Sequence, residues 1–189
     1  MLRRGGVPMP PGDVGGQPIR QNVRVVDSDE QLRDWIVRTA DEHGAAVLHV
    51  PSDDRGSAYA FTAGVWRRFG KPEAVVIGLP RDVAHTVVNT YIRRISAGER
   101  FVAGCLYEGF LQGCPVVIER IAHGHYSEFL GSAVLLHQSD DFPAVQLIVS
   151  SPDGKFPWQD DAPGGFAAHQ PVLTASGQPE SWSPGVTGP

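Results

Sequence analysis

Two imidazoles stand two residues apart in His123-Gly124-His125, so in an extended strand both rings would project from one face. A zinc ion needs further ligands, and Cys105, Glu108, Cys114 and His137 are the candidates, but none lies at a standard metal-site spacing. The segment therefore reads as a polar loop between a strand and a helix, and no metal is assigned. Cys105 and Cys114 are the two thiols of the chain. Either is a nucleophile only if the fold brings a histidine close enough to lower its pKa; otherwise it is a small buried hydrophobe. Glu108, Glu119 and Glu128 are acid–base candidates of the same conditional kind, since scattered carboxylates are surface charges unless burial shifts them. No catalytic residue and no cofactor is assigned from these groups.

Asp153-Gly154-Lys155-Phe156-Pro157-Trp158 is more distinctive. A turn delivers two aromatic rings, and Pro157 holds Phe156 extended. Such rings either wall a pocket or seal the edge of a core, and burial is the commoner use of a large aromatic. Gln146 lies inside an apolar run, where an unpartnered amide costs about 1–3 kcal/mol, so it must face either a ligand or a loop backbone. G-x-G-x-x-G, Walker A, H-E-x-x-H and G-x-S-x-G are all absent.

The elements that position these groups follow from periodicity. Ser28 and Gln31 fit a capping box for a helix carrying Leu32, Trp35, Ile36 and Ala40, closed at Gly44. Strands are expected over Ala45 to Val50 and Ala58 to Ala63, joined by the turn formers 51–56. A loop from Trp66 to Pro72 leads to a central strand, Ala74 to Leu79, apolar on both faces. Pro80 opens the clearest amphipathic helix, with Ala84, Val87, Val88, Tyr91, Ile92 and Ile95 on one stripe and Gly98 closing it. Arg100 to Tyr107, Pro115 to Ile121 and Ala144 to Ser150 read as strands, with Tyr107-Glu108-Gly109-Phe110 as a turn and a short helix over Ser127 to Ser132. Hairpin-like strand pairs mixed with helices predict an α+β fold: a single compact domain with a mainly antiparallel or mixed sheet, half exposed, packed by two to three helices.

The domain is expected over 22–174, between Gly- and Pro-rich flexible arms at 1–21 and 175–189. A chain of 189 residues suffices for one core. A formal charge of −5 argues against nucleic acid as a partner, because phosphate neutralisation needs a concentrated basic surface. The apolar runs fall far short of the ~20 residues that span a bilayer, and no secretory signal opens the chain. A soluble, cytoplasmic protein is expected, with its two cysteines reduced.

Five blocks carry a family resemblance: Phe61-Thr62-Ala63-Gly64-Val65-Trp66, Gly70-Lys71-Pro72-Glu73 running into Val75 to Leu79, Gln146-Leu147, Asp153 to Trp158, and Gln170-Pro171-Val172-Leu173. In this order they resemble a bacterial family known as domain of unknown function 4262. The family often has Tyr where this chain has Phe61, His where it has Lys71, and Gly where it has Thr174. The resemblance implies one compact domain and a shared site around the blocks, without a reaction.

Two functions follow as expectations. In the first, Thr62, Gly64, Trp66, Glu73, Gln146, Asp153, Phe156, Trp158 and Gln170 converge on one concave site that binds a small molecule, with or without turnover. In the second, Trp66, Phe69 and Trp158 form an anchor patch for a protein partner, as in an immunity-type or regulatory module, and the acidic balance suits a basic partner. A flavin-holding barrel is suggested by analogy of fold alone, since no phosphate-binding signature is present.

Overall fold

The computed structural model describes residues 29–181. The expected capping residue Ser28, the N-terminal arm and the end of the C-terminal tail lie outside them. Six strands form one mixed sheet, with helices on both faces. Strand β1 (Ala46–Val50) pairs antiparallel with β2 (Tyr59–Ala63), and β2 with β3 (Glu73–Ile77). Strand β6 (Ala144–Val149) lies parallel to β3, with Glu73 opposite Ala144 and Val75 opposite Gln146. Strand β5 (Cys114–Arg120) pairs antiparallel with β6, and β4 (Leu106–Leu111) with β5. The spatial order is therefore β1-β2-β3-β6-β5-β4, and the two fully buried strands sit at its centre.

Each face has its own apolar layer. The amphipathic helix α3 (Arg81–Ser96) lays Ala84, Val87, Val88, Tyr91, Ile92 and Ile95 against Ala60, Val76, Ile118 and Leu147. On the opposite face Ile36 of α1 (Asp29–His43) meets Phe61, Val75 and Ile77 together with Ala133 and Leu136 of α5 (Gly131–His137). Covering both faces replaces the expected half-exposed sheet. Several of its strands bury side chains of both parities, which a one-sided sheet cannot use.

Four local expectations are also corrected. The stretch 66–72 contains a short helix, α2 (Val65–Phe69), whose starting N–H groups find a remote carboxylate described below. The strand expected from Arg100 starts only at Leu106, because Gly104 adopts φ +84 and interrupts the extended chain. Tyr107-Glu108-Gly109-Phe110 then runs inside β4 rather than forming a turn. Gly109, at φ +81, produces an irregularity in the register, and the chain reverses at Gly113 instead. The helix expected over Ser127 to Ser132 is two, α4 (Tyr126–Phe129) and α5. No helix among the described residues is long and apolar enough to cross a membrane.

Candidate functional site

Glu73 begins β3 with its side chain fully buried on the α1–α5 face. Its carboxylate accepts from the Thr62 hydroxyl at 2.6 Å and from the backbone N–H groups of Gly64, Val65 and Trp66 at 2.9, 3.2 and 3.1 Å. His137 Nε2 lies 2.9 Å from the same group. Three of these donors are the N–H groups that open α2, whose N-cap, Gly64, has no side chain to serve them. Glu73 thus caps α2 from a neighbouring strand, and the negative charge matches the positive end of the helix. Gly64 holds φ +112, and a Cβ there would stand 2.6 Å from that of Ala40, so the chain needs glycine at this junction. Thr62 also accepts the N–H of Ala74 at 2.8 Å, which locks β2 to β3 beside the carboxylate.

A second polar group occupies the same face farther along the sheet. Pairing places Gln146 beside Val75 and opposite Glu119, so Glu73, Gln146 and Glu119 project from three adjacent strands in one direction. Each serves backbone. Gln146 donates to Pro171 O at 2.7 Å and accepts from Leu173 N at 2.8 Å. Gln170 accepts from Val149 N at 2.9 Å and donates to Val149 O at 2.8 Å, imitating one residue of an added strand. Glu119 accepts from Glu180 N and Ser181 N at 3.2 and 3.0 Å. These bonds bind the 170–181 segment to the sheet, although the tail was expected to begin at 175. Phe156 and Trp158 stack with centroids 4.9 Å apart, and Phe156 fills the space against Val117, Ile148 and Val172. Asp153 is exposed on the turn closed by Gly154 N to Ser151 O at 2.8 Å.

The nine residues expected to line one pocket therefore fall into groups. Thr62, Gly64, Trp66 and Glu73 converge at α2, while Gln146 and Gln170 clasp the C-terminal segment beside the Phe156–Trp158 stack. The expected aromatic patch disperses too: Phe69 packs against Gly44 and the α3 layer, and Trp158 against Phe156, leaving Trp66 38% exposed. His123 and His125 part company, the first stacked on Tyr126 at 4.6 Å and the second 3.3 Å from Thr174 O.

An open cleft of about 890 Å³ lies between the first turns of α1, the His123–Tyr126 turn and the end of α5. None of the nine residues lines it, yet Glu73 helps to shape it. The Glu73–His137 bond fixes the last residue of α5, and the chain leaves that helix through Gln138 at φ +55, ψ +25. A left-handed conformation costs a side-chain-bearing residue about 1–2 kcal/mol, and here it sets Gln138, Ser139 and Asp140 on the cleft wall. Across from them stands Arg33, whose buried Nε has no hydrogen-bond partner. Asp29 and Glu30 sit four and three residues before it, the spacings at which helical ion pairs form. Among the described residues neither acid pairs with it.

Sequence reasoning did not find this cleft. One signal was present: Arg33 precedes the buried Ile36 and Ala40 at i+3 and i+7, placing a guanidinium at the head of an apolar stripe.

Comparison with curated proteins finds no significant match. Comparison with solved structures also finds none. The family model described as Domain of unknown function (DUF4262) matches residues 39–163, a span that includes Thr62, Gly64, Trp66, Glu73, Gln146 and the Asp153–Trp158 turn. The match covers more than half of the 189 residues, and the chain belongs to this family.

Proposed function

We propose that this chain is a small-molecule-binding domain whose site is the cleft between α1, the His123–Tyr126 turn and the end of α5. One observation carries the reading: an open cleft of about 890 Å³ is lined by Arg33, His123 and Asp140 from facing elements. The cavity volume is in the range of small-molecule sites. Among the described residues, the wall sets no serine or cysteine against a histidine base, so binding is proposed rather than a particular reaction. A soluble ligand and a cytoplasmic location are part of the same proposal.

A thermal-shift screen of metabolites tests this, because a ligand that binds only the native state raises its melting temperature. Hits are then mapped by amide NMR. A ligand that stabilises the protein and shifts His123, Ser127 and Gln138 supports the cleft, whereas hits that map elsewhere remove it.

A protein-interaction module is the rival, favoured by Trp35 on α1 and Trp66 on α2, which are 40% and 38% exposed. A pulldown that fails when both tryptophans are changed to serine, alongside a silent metabolite screen, would establish it instead.

A further inference from the structure

Strands β3 and β6 run parallel, and β5 runs antiparallel to β6, so one end of the sheet gathers the starts of β3 and β6 with Arg120, the last residue of β5. The loops that meet there leave a hollow of about 520 Å³ and a smaller one of about 280 Å³. Pro72, Phe101 and Val145 line both, so the two adjoin. The stacked rings of His123 and Tyr126 stand between the larger hollow and the α1–α5 cleft and line each of them.

Charge at this end runs against that of the chain. The sequence carries −5, yet the side chains with a fixed charge on these walls are Lys71, Arg100 and Arg120 with one acid, Glu99. Glu99 is already answered, because Arg94 donates to both of its oxygens at 2.6 and 2.5 Å. Glu119, beside Arg120 in sequence, is fully buried and accepts from the N–H groups of Arg120, Glu180 and Ser181. Among the described residues no carboxylate pairs with any of the three cations. Arg100 and Arg120 are exposed and Lys71 is half-buried, so all three can meet a ligand. The surface between them is apolar, formed by Pro72, Phe101, Ile121, Pro143 and Val145, with Val102 58% exposed on the same wall.

We propose that the paired hollows bind an organic anion with an apolar body: a carboxylate or phosphate joined to a ring or a short hydrocarbon chain. A neutral apolar molecule covers Phe101 and Val102 but gives the cations nothing, and an inorganic anion does the reverse. A molecule with both parts buries the apolar wall and answers the guanidinium groups with charge-assisted hydrogen bonds. The volumes are those of a small-molecule site. This site stands independently of the proposed cleft.

The test titrates the full chain with octanoate and phenyl phosphate, and with octanol, octylamine, phenol and inorganic phosphate as controls, read by amide NMR. Both anions should shift Val102, Ala103 and Ile121, and each should bind about ten-fold or more tightly than its uncharged counterpart. Inorganic phosphate should bind more weakly than phenyl phosphate by a similar factor, and added salt should weaken both anions. The tighter of the two anions identifies the head group. Arg100→Gln with Arg120→Gln should weaken both by about ten-fold or more, at an unchanged melting temperature because both side chains are exposed.

Octanol or octylamine binding as tightly as octanoate overturns the proposal, as does inorganic phosphate matching phenyl phosphate, or full affinity in the double variant. Anions that shift Ser127 and Gln138 but leave Val102 and Ala103 unmoved overturn it too, and in that case the cleft keeps its proposed function. Shifts confined to Val102, Ala103 and Ile121 support this site whatever the fate of the cleft.

Discussion

The Glu73 junction and the Arg33 cleft lie on the same face of one sheet and treat charge in opposite ways. At Glu73 a fully buried carboxylate meets a hydroxyl, three backbone N–H groups and an imidazole, all from its own chain. At Arg33 a buried nitrogen meets nothing, although two acids stand at the helical spacings of ion pairs. A buried charge surrounded by donors organises structure, whereas a buried donor left unanswered costs stability. The contrast separates a buried group that holds the fold from one that costs it stability.

Substituting at the junction should give the largest effect. Glu73→Gln keeps the shape but turns an amide toward donors that need acceptors, and should destabilise by about 3 kcal/mol in urea unfolding. A loss below about 1 kcal/mol would mean that the junction contributes little. Gln170→Ala comes next, because it strands Val149 N–H and C=O together. It should cost about 2 kcal/mol and speed amide exchange at Val149, with the Glu73 contacts unaffected.

The cleft should respond with the opposite sign. Gln138→Gly relieves a left-handed backbone and should stabilise the protein, by up to about 1 kcal/mol after the added freedom of glycine in the unfolded chain is subtracted. Destabilisation there would show that the Gln138 side chain holds the fold and would blur the comparison.

The smallest effect concerns pH, on the other face of the sheet. His49 Nε2 lies 3.2 Å from His85 Nδ1. Burial lowers the His49 pKa below the usual imidazole value; the charges of Arg81 and His85 lower it further, and Asp82 opposes them. The folded state therefore prefers neutral His49. Its contribution to stability is complete above the unfolded pKa of about 6.5 and declines as pH falls from there toward the lowered folded value. His49→Gln should flatten that part of the stability–pH curve, and an unchanged slope would remove His49 as its source.

Much of the fold was legible because its signals are local. The α3 stripe, the Gly44 stop and the 51–56 turn depend on residues near one another in sequence. The second covered face was not, because Ile36, Phe61 and Leu136 reveal their contact only after folding. The polar residues were legible as unusual without being legible in role. Gln146 inside an apolar strand required a partner, but nothing in the sequence shows that this partner is the backbone of Pro171 and Leu173. Arg33 posed the reverse difficulty, since a charged residue in the first turns of a helix is ordinary until its surroundings are known.

The parallel seam between β3 and β6 also bears on how this chain reaches its native state. Glu73 finds Ala144 only across a connection that contains α3, the β4–β5 hairpin and α5. Contacts so distant in sequence close late, because the entropy of the intervening loop must be overcome before the pairing contributes. A nascent chain ending before Ala144 exposes one side of β3 as an unpaired edge, and the molecule has no half that can complete its sheet alone. Folding should therefore be cooperative and slow for the chain's size, with the edge of β3 the place where an incomplete molecule is most open to pairing with another.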